Sequence, residues 1–218
     1  MKRLLATTLM VVTGSIALSL QTAVGQDLED SALLARLQSG GLVLLFRHGK
    51  TGPDSDRPDA VSGRYALDGS AKERQAAYFD CDRQRNLSDE GREELRQVAE
   101  AMREIGLVIG KALSSPMCRT RETAWLLVGQ VTPADALIGP DNAGRRRLVS
   151  TVPADGSNRV LVSHGYIVGS LVPQPERPDA RGQIVRGYAH VLEPLGDGEF
   201  RVLAELGPDD WTRLAAIK

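Results

Sequence analysis

At 218 residues and 23.5 kDa, the chain has room for one domain or two small ones. Hydrophobic residues at 42% and charged residues at 25% are globular proportions, which excludes wholesale disorder. The 27 cations nearly balance 28 acids, so no net field draws the chain to nucleic acid or an anionic membrane, and aromatics at 4% exclude a base-stacking platform. Three histidines and two cysteines are too few for a multi-metal scaffold, and no metal or other cofactor is expected.

The chain opens with Lys2 and Arg3, then an apolar stretch over 4–20, then Ala23-Val24-Gly25 and the polar run 26–30. A basic start, an apolar middle and a small-residue exit predict a secretory signal peptide over 1–25, cut after Gly25. The other reading is a retained anchor, but the stretch is near the lower length limit for a span and is diluted by Thr and Ser. Residues 26–218 then form a single domain, periplasmic or secreted, with no stable membrane span after cleavage. In an oxidising compartment Cys81 and Cys118 are the one possible intrachain disulfide.

Leu33, Leu34 and Leu37 mark a helix over 31–39, stopped by Gly40-Gly41. The unbroken apolar run 42–46 reads as a strand buried on both faces, ending at Arg47-His48-Gly49. Residues 50–86 form a long polar excursion with a short helix at 72–79, and its place after Arg47-His48 predicts a lid. Ser88 caps a helix that carries Leu95, Val98, Ala99 and Met102 on one face and ends at Gly106. A second strand over 108–113 leads through Ser114-Ser115 into a helix with Pro116 at its first position. Residues 130–158 read as loop-rich, and the run Arg145-Arg146-Arg147 as a solvated face. A third strand over 159–162 ends at Ser163-His164-Gly165, with a short helix at 166–171 after it. Segments 183–192 and 200–206 alternate as a hairpin around Gly196-Asp197-Gly198, and 208–217 closes as a helix. Alternating strands and helices predict an α/β fold, a three-layer sandwich with a mostly parallel central sheet flanked by helices.

Three polar clusters follow the carboxyl ends of the three best strands: 47–49, 114–119 and 163–164. Ligands of open α/β sheets bind outside those ends, so the clusters are expected to converge. Two guanidiniums, Arg47 and Arg119, favour a doubly charged anion such as phosphate. A neutral imidazole between them is a competent nucleophile toward phosphorus, and a second can donate to the equatorial oxygens where transition-state charge spreads. Thr51 and Ser163 either touch the phosphate or cap turns, and Arg85 with Asn86 either lines the pocket mouth or makes a turn. Arg121 and Glu122 face solvent or pair locally. His190, on a predicted strand far along the chain, is not expected in the chemistry.

The segment 45–51, Leu-Phe-Arg-His-Gly-Lys-Thr, resembles the R-H-G signature of the histidine phosphatase superfamily, the phosphoglycerate-mutase-like group. Segment 114–124, Ser-Ser-Pro-Met-Cys-Arg-Thr-Arg-Glu-Thr-Ala, resembles that family's second-arginine motif, and 162–165, Val-Ser-His-Gly, its second-histidine motif. The three stand in family order and span 42–172. The resemblance implies a phosphoglycerate-mutase-like fold, His48 as the phosphorylated nucleophile, and Arg47, Arg119 and His164 as the rest of the phosphate pocket.

The departure is the proton donor. Many family members carry a Glu between the second arginine and the second histidine; here only Asp135, Asp141 and Asp155 stand between Glu122 and His164. Exported relatives often carry Gly-Glu in the strand after the second histidine, where this chain has Gly187-Tyr188. Tyr188 is a candidate donor, though a phenol with an ordinary pKa near 10 is a poor acid at pH 7. A missing acid matters little for good leaving groups and costs alkyl phosphates roughly 100- to 10,000-fold. The expected activity is a metal-independent phosphomonoesterase with a phosphohistidine intermediate. Its expected partner is a small phosphorylated substrate or an envelope phosphate group. A phosphate-binding protein with little turnover is the second reading, and a mutase the third.

Overall fold

The computed structural model describes residues 29–52, 71–173, 175–180 and 182–218. The signal peptide expected over 1–25, and positions 53–70 of the expected lid, lie outside the described residues. In chain order the strands are β1 (Val43–Arg47), β2 (Ile109–Ser114), β3 (Thr132–Pro133), β4 (Asn158–Ser163), β5 (Ala189–Gly196) and β6 (Glu199–Leu206). The helices are α1 (Asp30–Ser39), α2 (Ala71–Phe79), α3 (Asp89–Ile105), α4 (Cys118–Val128), α5 (Asn142–Ser150), α6 (Gly165–Val168) and α7 (Pro208–Ala216).

Successive side chains of a strand point to opposite faces, so β1 is apolar throughout because both of its faces are covered. Leu44 and Phe46 join a core with α1, α3, α4 and α7, in which Phe46 stacks on Trp211 at 6.1 Å. Val43 and Leu45 join the opposite core, with Val149 of α5, Val168 of α6 and Ile184. The six strands run in the order β3-β2-β4-β1-β5-β6. The first four are parallel, while β5 and β6 are antiparallel additions on the far side of β1. This is a three-layer α/β sandwich. Among the described residues, no helix is long and apolar enough to cross a membrane.

Local chemistry sets the element ends. Ser88 caps α3 by accepting the Gly91 N–H at 3.0 Å, and Gly106 ends it in the left-handed conformation at φ 81°. Asp197 (φ 49°) and Gly198 (φ 85°) make the two-residue β5–β6 turn, whose twist matches a right-handed hairpin.

Several expectations shift. The fourth helix starts at Cys118 with Met117 as its N-cap, so Pro116 precedes it. The hairpin's first strand starts at Ala189, because 183–187 is held in a loop that crosses toward β1. Residues 130–158 contain β3 and the nine-residue α5, capped by Asp141. Arg145, expected in solvent, is buried and donates to the Ala136 and Gly139 carbonyls, while Arg146 and Arg147 are exposed. Its neighbouring arginines gave it the look of a charged face, but its donors are spent closing the turn before α5.

Cys81 and Cys118 form a disulfide that fastens the segment after α2 to the N-terminus of α4. Gln84 adds to the join, accepting the Cys118 N–H at 2.9 Å and donating to the Ala77 and Tyr78 carbonyls. Closing a loop of 37 residues restricts the unfolded chain by about 4 kcal/mol in the chain-entropy treatment. The double variant Cys81→Ala, Cys118→Ala is therefore expected to lose about that much in urea unfolding. A loss under about 1 kcal/mol would mean that Gln84 and α2 packing already hold the segment.

Candidate active site

β2, β4 and β1 are adjacent and parallel, so their carboxyl ends lie side by side and deliver Ser114-Ser115, Ser163-His164 and Arg47-His48 to one place. The His48 N–H donates to the Ser163 carbonyl at 3.0 Å, and Gly187 N–H donates to the His48 carbonyl at 3.0 Å. The nucleophile candidate is thus clamped between β4 and the loop before β5. The His48 ring meets the Gly49 carbonyl through Nδ1 at 2.9 Å. A carbonyl only accepts, so the proton of the neutral ring sits on Nδ1 and Nε2 carries the lone pair. The Arg119 Nε–H points at that Nε2 from 3.3 Å, and the ring of His164 stands edge-on with its centroid 5.5 Å away.

Arg47, His48, Arg119 and His164 are all buried. Arg47 donates to the Ile184 carbonyl, to Asp179 at 3.2 Å and to Gln183 at 3.5 Å. Gly165 makes room for it, since a Cβ there would lie 3.1 Å from the guanidinium carbon. Arg119 reaches the Arg85 carbonyl at 3.5 Å. Burial lowers the Arg47 pKa, with the Arg186 charge adding to the effect and Asp179 opposing it. Arg47, Arg119 and Arg85 therefore crowd positive charge around the two imidazoles, with Arg186 acting on Arg47.

Both imidazoles respond to that crowding. The pKa of His48 lies well below the ordinary 6.5, first through burial and then through Arg119 and His164. That of His164 is likewise pushed well down by burial, then by Arg119, Arg47 and Arg85. Both rings are neutral at pH 7. Below about pH 6.5 the unfolded chain takes protons on these rings while the folded chain does not, so stability falls as pH falls through that window. The melting temperature is expected to drop as the pH is lowered from 7 toward 5, and less steeply in His164→Gln. Equal slopes in the two proteins would disprove the coupling.

Other candidates sit differently. The Ser163 hydroxyl donates to the Leu137 carbonyl at 2.6 Å, so it braces the fold and is spent before any phosphate arrives. Thr51 pairs with Leu87 in an isolated bridge and lines a cavity of about 290 Å³ with Lys50, Ser88, Glu90, Asp179, Val185 and Arg186. Arg85 stands at the pocket, as its effect on Arg47 and His164 requires. Asn86 donates to the Cys81 carbonyl at 2.8 Å and so makes a turn. The Tyr188 carbonyl accepts the Arg47 N–H at 3.0 Å, but its ring lies under Arg177 with its hydroxyl against Gly207. That places the phenol at the start of α7. Glu122 pairs with Arg92 of α3 at 2.6 Å, and Arg121 lies over the Phe79 ring. His190 is buried on β5 against Glu205 at 3.3 Å.

Sequence reading missed Asp179, Gln183 and Arg186. They sit in a segment with no motif, and only the return of the chain over β1 brings them to Arg47.

Residues 43–137 match the family model described as histidine phosphatase superfamily (branch 1). Over that region, which carries Arg47, His48 and Arg119, the chain is similar to the histidine phosphatase superfamily. Among solved structures, the protein histidine phosphatase SixA complexed with tungstate is 18% identical, with a TM-score of 0.52 over 78% of this chain and 98% of that one. A phosphoserine phosphatase variant from Entamoeba histolytica in complex with phosphoserine is 14% identical, with a TM-score of 0.45 over 78% and 98%. The protein TTHB049 from Thermus thermophilus is 18% identical, with a TM-score of 0.43 over 76% and 99%. Among curated proteins no sequence match is found. The likeness to SixA extends the fold to 78% of this chain, beyond the residues of the family match.

Proposed function

We propose that this protein is an exported, metal-independent phosphomonoesterase that works through a phosphohistidine on His48. The observation that carries the reading is the state of the His48 ring: Nδ1 is spent on the Gly49 carbonyl, and Nε2 is held deprotonated beneath Arg119. A phosphoryl group beside His164 would meet the guanidinium donors of Arg47, Arg119 and Arg85 on its oxygens and a lone pair in line with its phosphorus. Nucleophilic substitution then forms the Nε2–P bond and releases the alcohol, and water removes the phosphoryl group in a second displacement.

Acid assistance restricts the substrates. Asp179 is a carboxylate at the guanidiniums, and it is engaged as the acceptor of Arg47. The substrates favoured are therefore those whose leaving groups need little protonation, such as phosphohistidine, an acyl phosphate or an aryl phosphate. The SixA neighbour is a protein histidine phosphatase that takes tungstate, a phosphate-shaped oxyanion, which supports the same class. The Cys81–Cys118 bond supports an oxidising destination.

The test is a rapid-mixing assay of residues 26–218 with an aryl phosphate in EDTA. A burst of one phenol per protein, turnover that survives chelation and an acid-labile phosphoenzyme are expected. Saturable binding of inorganic phosphate with neither burst nor phosphoenzyme would make this a phosphate-binding protein.

A further inference from the structure

A short polar chain runs behind His164. The Ser115 hydroxyl lies 2.8 Å from His164 Nε2 and 2.8 Å from the Thr120 hydroxyl. The Thr120 oxygen in turn lies 2.7 Å from the Met117 carbonyl and 2.9 Å from the Ser115 carbonyl. Ser115 and Thr120 are fully buried, so water does not complete these contacts.

Counting protons decides their direction. A carbonyl only accepts, so the single Thr120 proton goes to one of the two carbonyls. The contact between the hydroxyls then requires the Ser115 proton, and Ser115 has none left for the imidazole. The 2.8 Å contact at His164 therefore needs a proton on Nε2. Reversing the chain would leave both Thr120 oxygen–carbonyl contacts without a hydrogen, one more than in this direction, which is costly in a dry interior.

We infer that Ser115 and Thr120 are positioning residues that hold neutral His164 in the Nε2–H form and keep Nδ1 as its proton-accepting nitrogen. Resting on the phosphatase reading above, this gives the site the acid that its carboxylates do not supply. A phosphomonoester has a second pKa near 6, so part of it arrives as the protonated monoanion. Its proton passes to Nδ1, and the imidazolium is tolerated because phosphoryl oxygens now neutralise Arg119, Arg47 and Arg85. As the His48 Nε2–P bond forms and the P–O bond breaks, the Nδ1 proton goes to the leaving oxygen. Neutral Nε2–H His164 is restored, and the alcohol departs uncharged.

The test reads the tautomer directly and does not depend on turnover. With three histidines in the chain, two-bond ¹H–¹⁵N correlation spectra of the full mature protein at pH 7.5 separate every ring, and His164→Gln assigns the signal. The wild type is expected to show the Nε2–H form at His164. Thr120→Val removes the hydroxyl at constant shape, so Ser115 turns its proton to Nε2 and the ring is expected to switch to Nδ1–H. Thr120→Ser keeps the hydroxyl and is expected to keep the wild-type form. Turnover of an alkyl phosphate should fall roughly 100-fold in Thr120→Val and recover in Thr120→Ser, with an aryl phosphate much less affected. A wild-type ring in the Nδ1–H form, or an unchanged tautomer in Thr120→Val, would overturn the inference. Loss of the phosphoenzyme with the tautomers as expected would instead count against the phosphatase reading alone.

Discussion

The His48→Ala protein is expected to lose turnover by on the order of 10⁴- to 10⁶-fold and to form no phosphoenzyme, while still binding inorganic phosphate. The size follows from the role. Removing a nucleophile deletes the covalent route, whereas Arg47, Arg119 and His164 remain to hold the anion. His48 makes a single side-chain contact to the backbone, at Gly49, and its main-chain bonds to Ser163 and Gly187 survive the substitution. The fold should therefore persist, which a circular dichroism melt would check. An His48→Ala protein that retains a phosphate burst would sink the mechanism, since His48 Nε2 is the unprotonated nitrogen that faces the Arg119 Nε–H.

The second large effect is expected at Arg119. Its guanidinium is buried beside His48, and it stands in the first turn of α4, where the helix dipole opposes a cation. Such a placement costs stability in the empty protein and is recovered when an anion arrives. Arg119→Ala should lower kcat/KM on the order of 10³-fold, the scale of a guanidinium that neutralises a transferring phosphoryl group. It should also weaken phosphate binding. At 100 times its Kd, inorganic phosphate stabilises the wild type by about 2.7 kcal/mol, a clear rise in melting temperature, and the same concentration should give the variant far less. An unchanged phosphate-induced shift would remove Arg119 from the pocket. Arg119→Lys separates charge from geometry: a point charge restores some binding but not the fork that meets two oxygens at once.

The residues with the most legible roles are those at strand ends. Arg47-His48, Ser163-His164 and Arg119 were recognisable because each follows an apolar run, and the parallel sheet brings such ends together. The disulfide was legible for a different reason, since two cysteines allow one pairing. Tyr188 shows that backbone and side chain need not share a direction: its carbonyl faces Arg47 while its ring packs under Arg177. For Ser163 the sequence left phosphate contact and a structural turn both open, and its hydroxyl is claimed by Leu137, 26 residues earlier.

By itself the sequence determined the α/β class, the central buried strand and the pair of imidazoles with their two arginines. Those features rest on short-range regularities: the period of two in a strand, a capping serine, a glycine past a helix end. Tertiary structure alone decided which groups surround the imidazoles. Asp179 meets Arg47 across 132 positions, Arg186 arrives with the loop before β5, and the direction of the Ser115–Thr120–His164 chain follows from contacts across 49 positions. Such contacts carry no local periodicity, because loops are placed by what they pack against. Protonation goes the same way: an imidazole's charge and tautomer depend on its burial and on which carbonyl or guanidinium faces each nitrogen, and both exist only once the chain has closed around it.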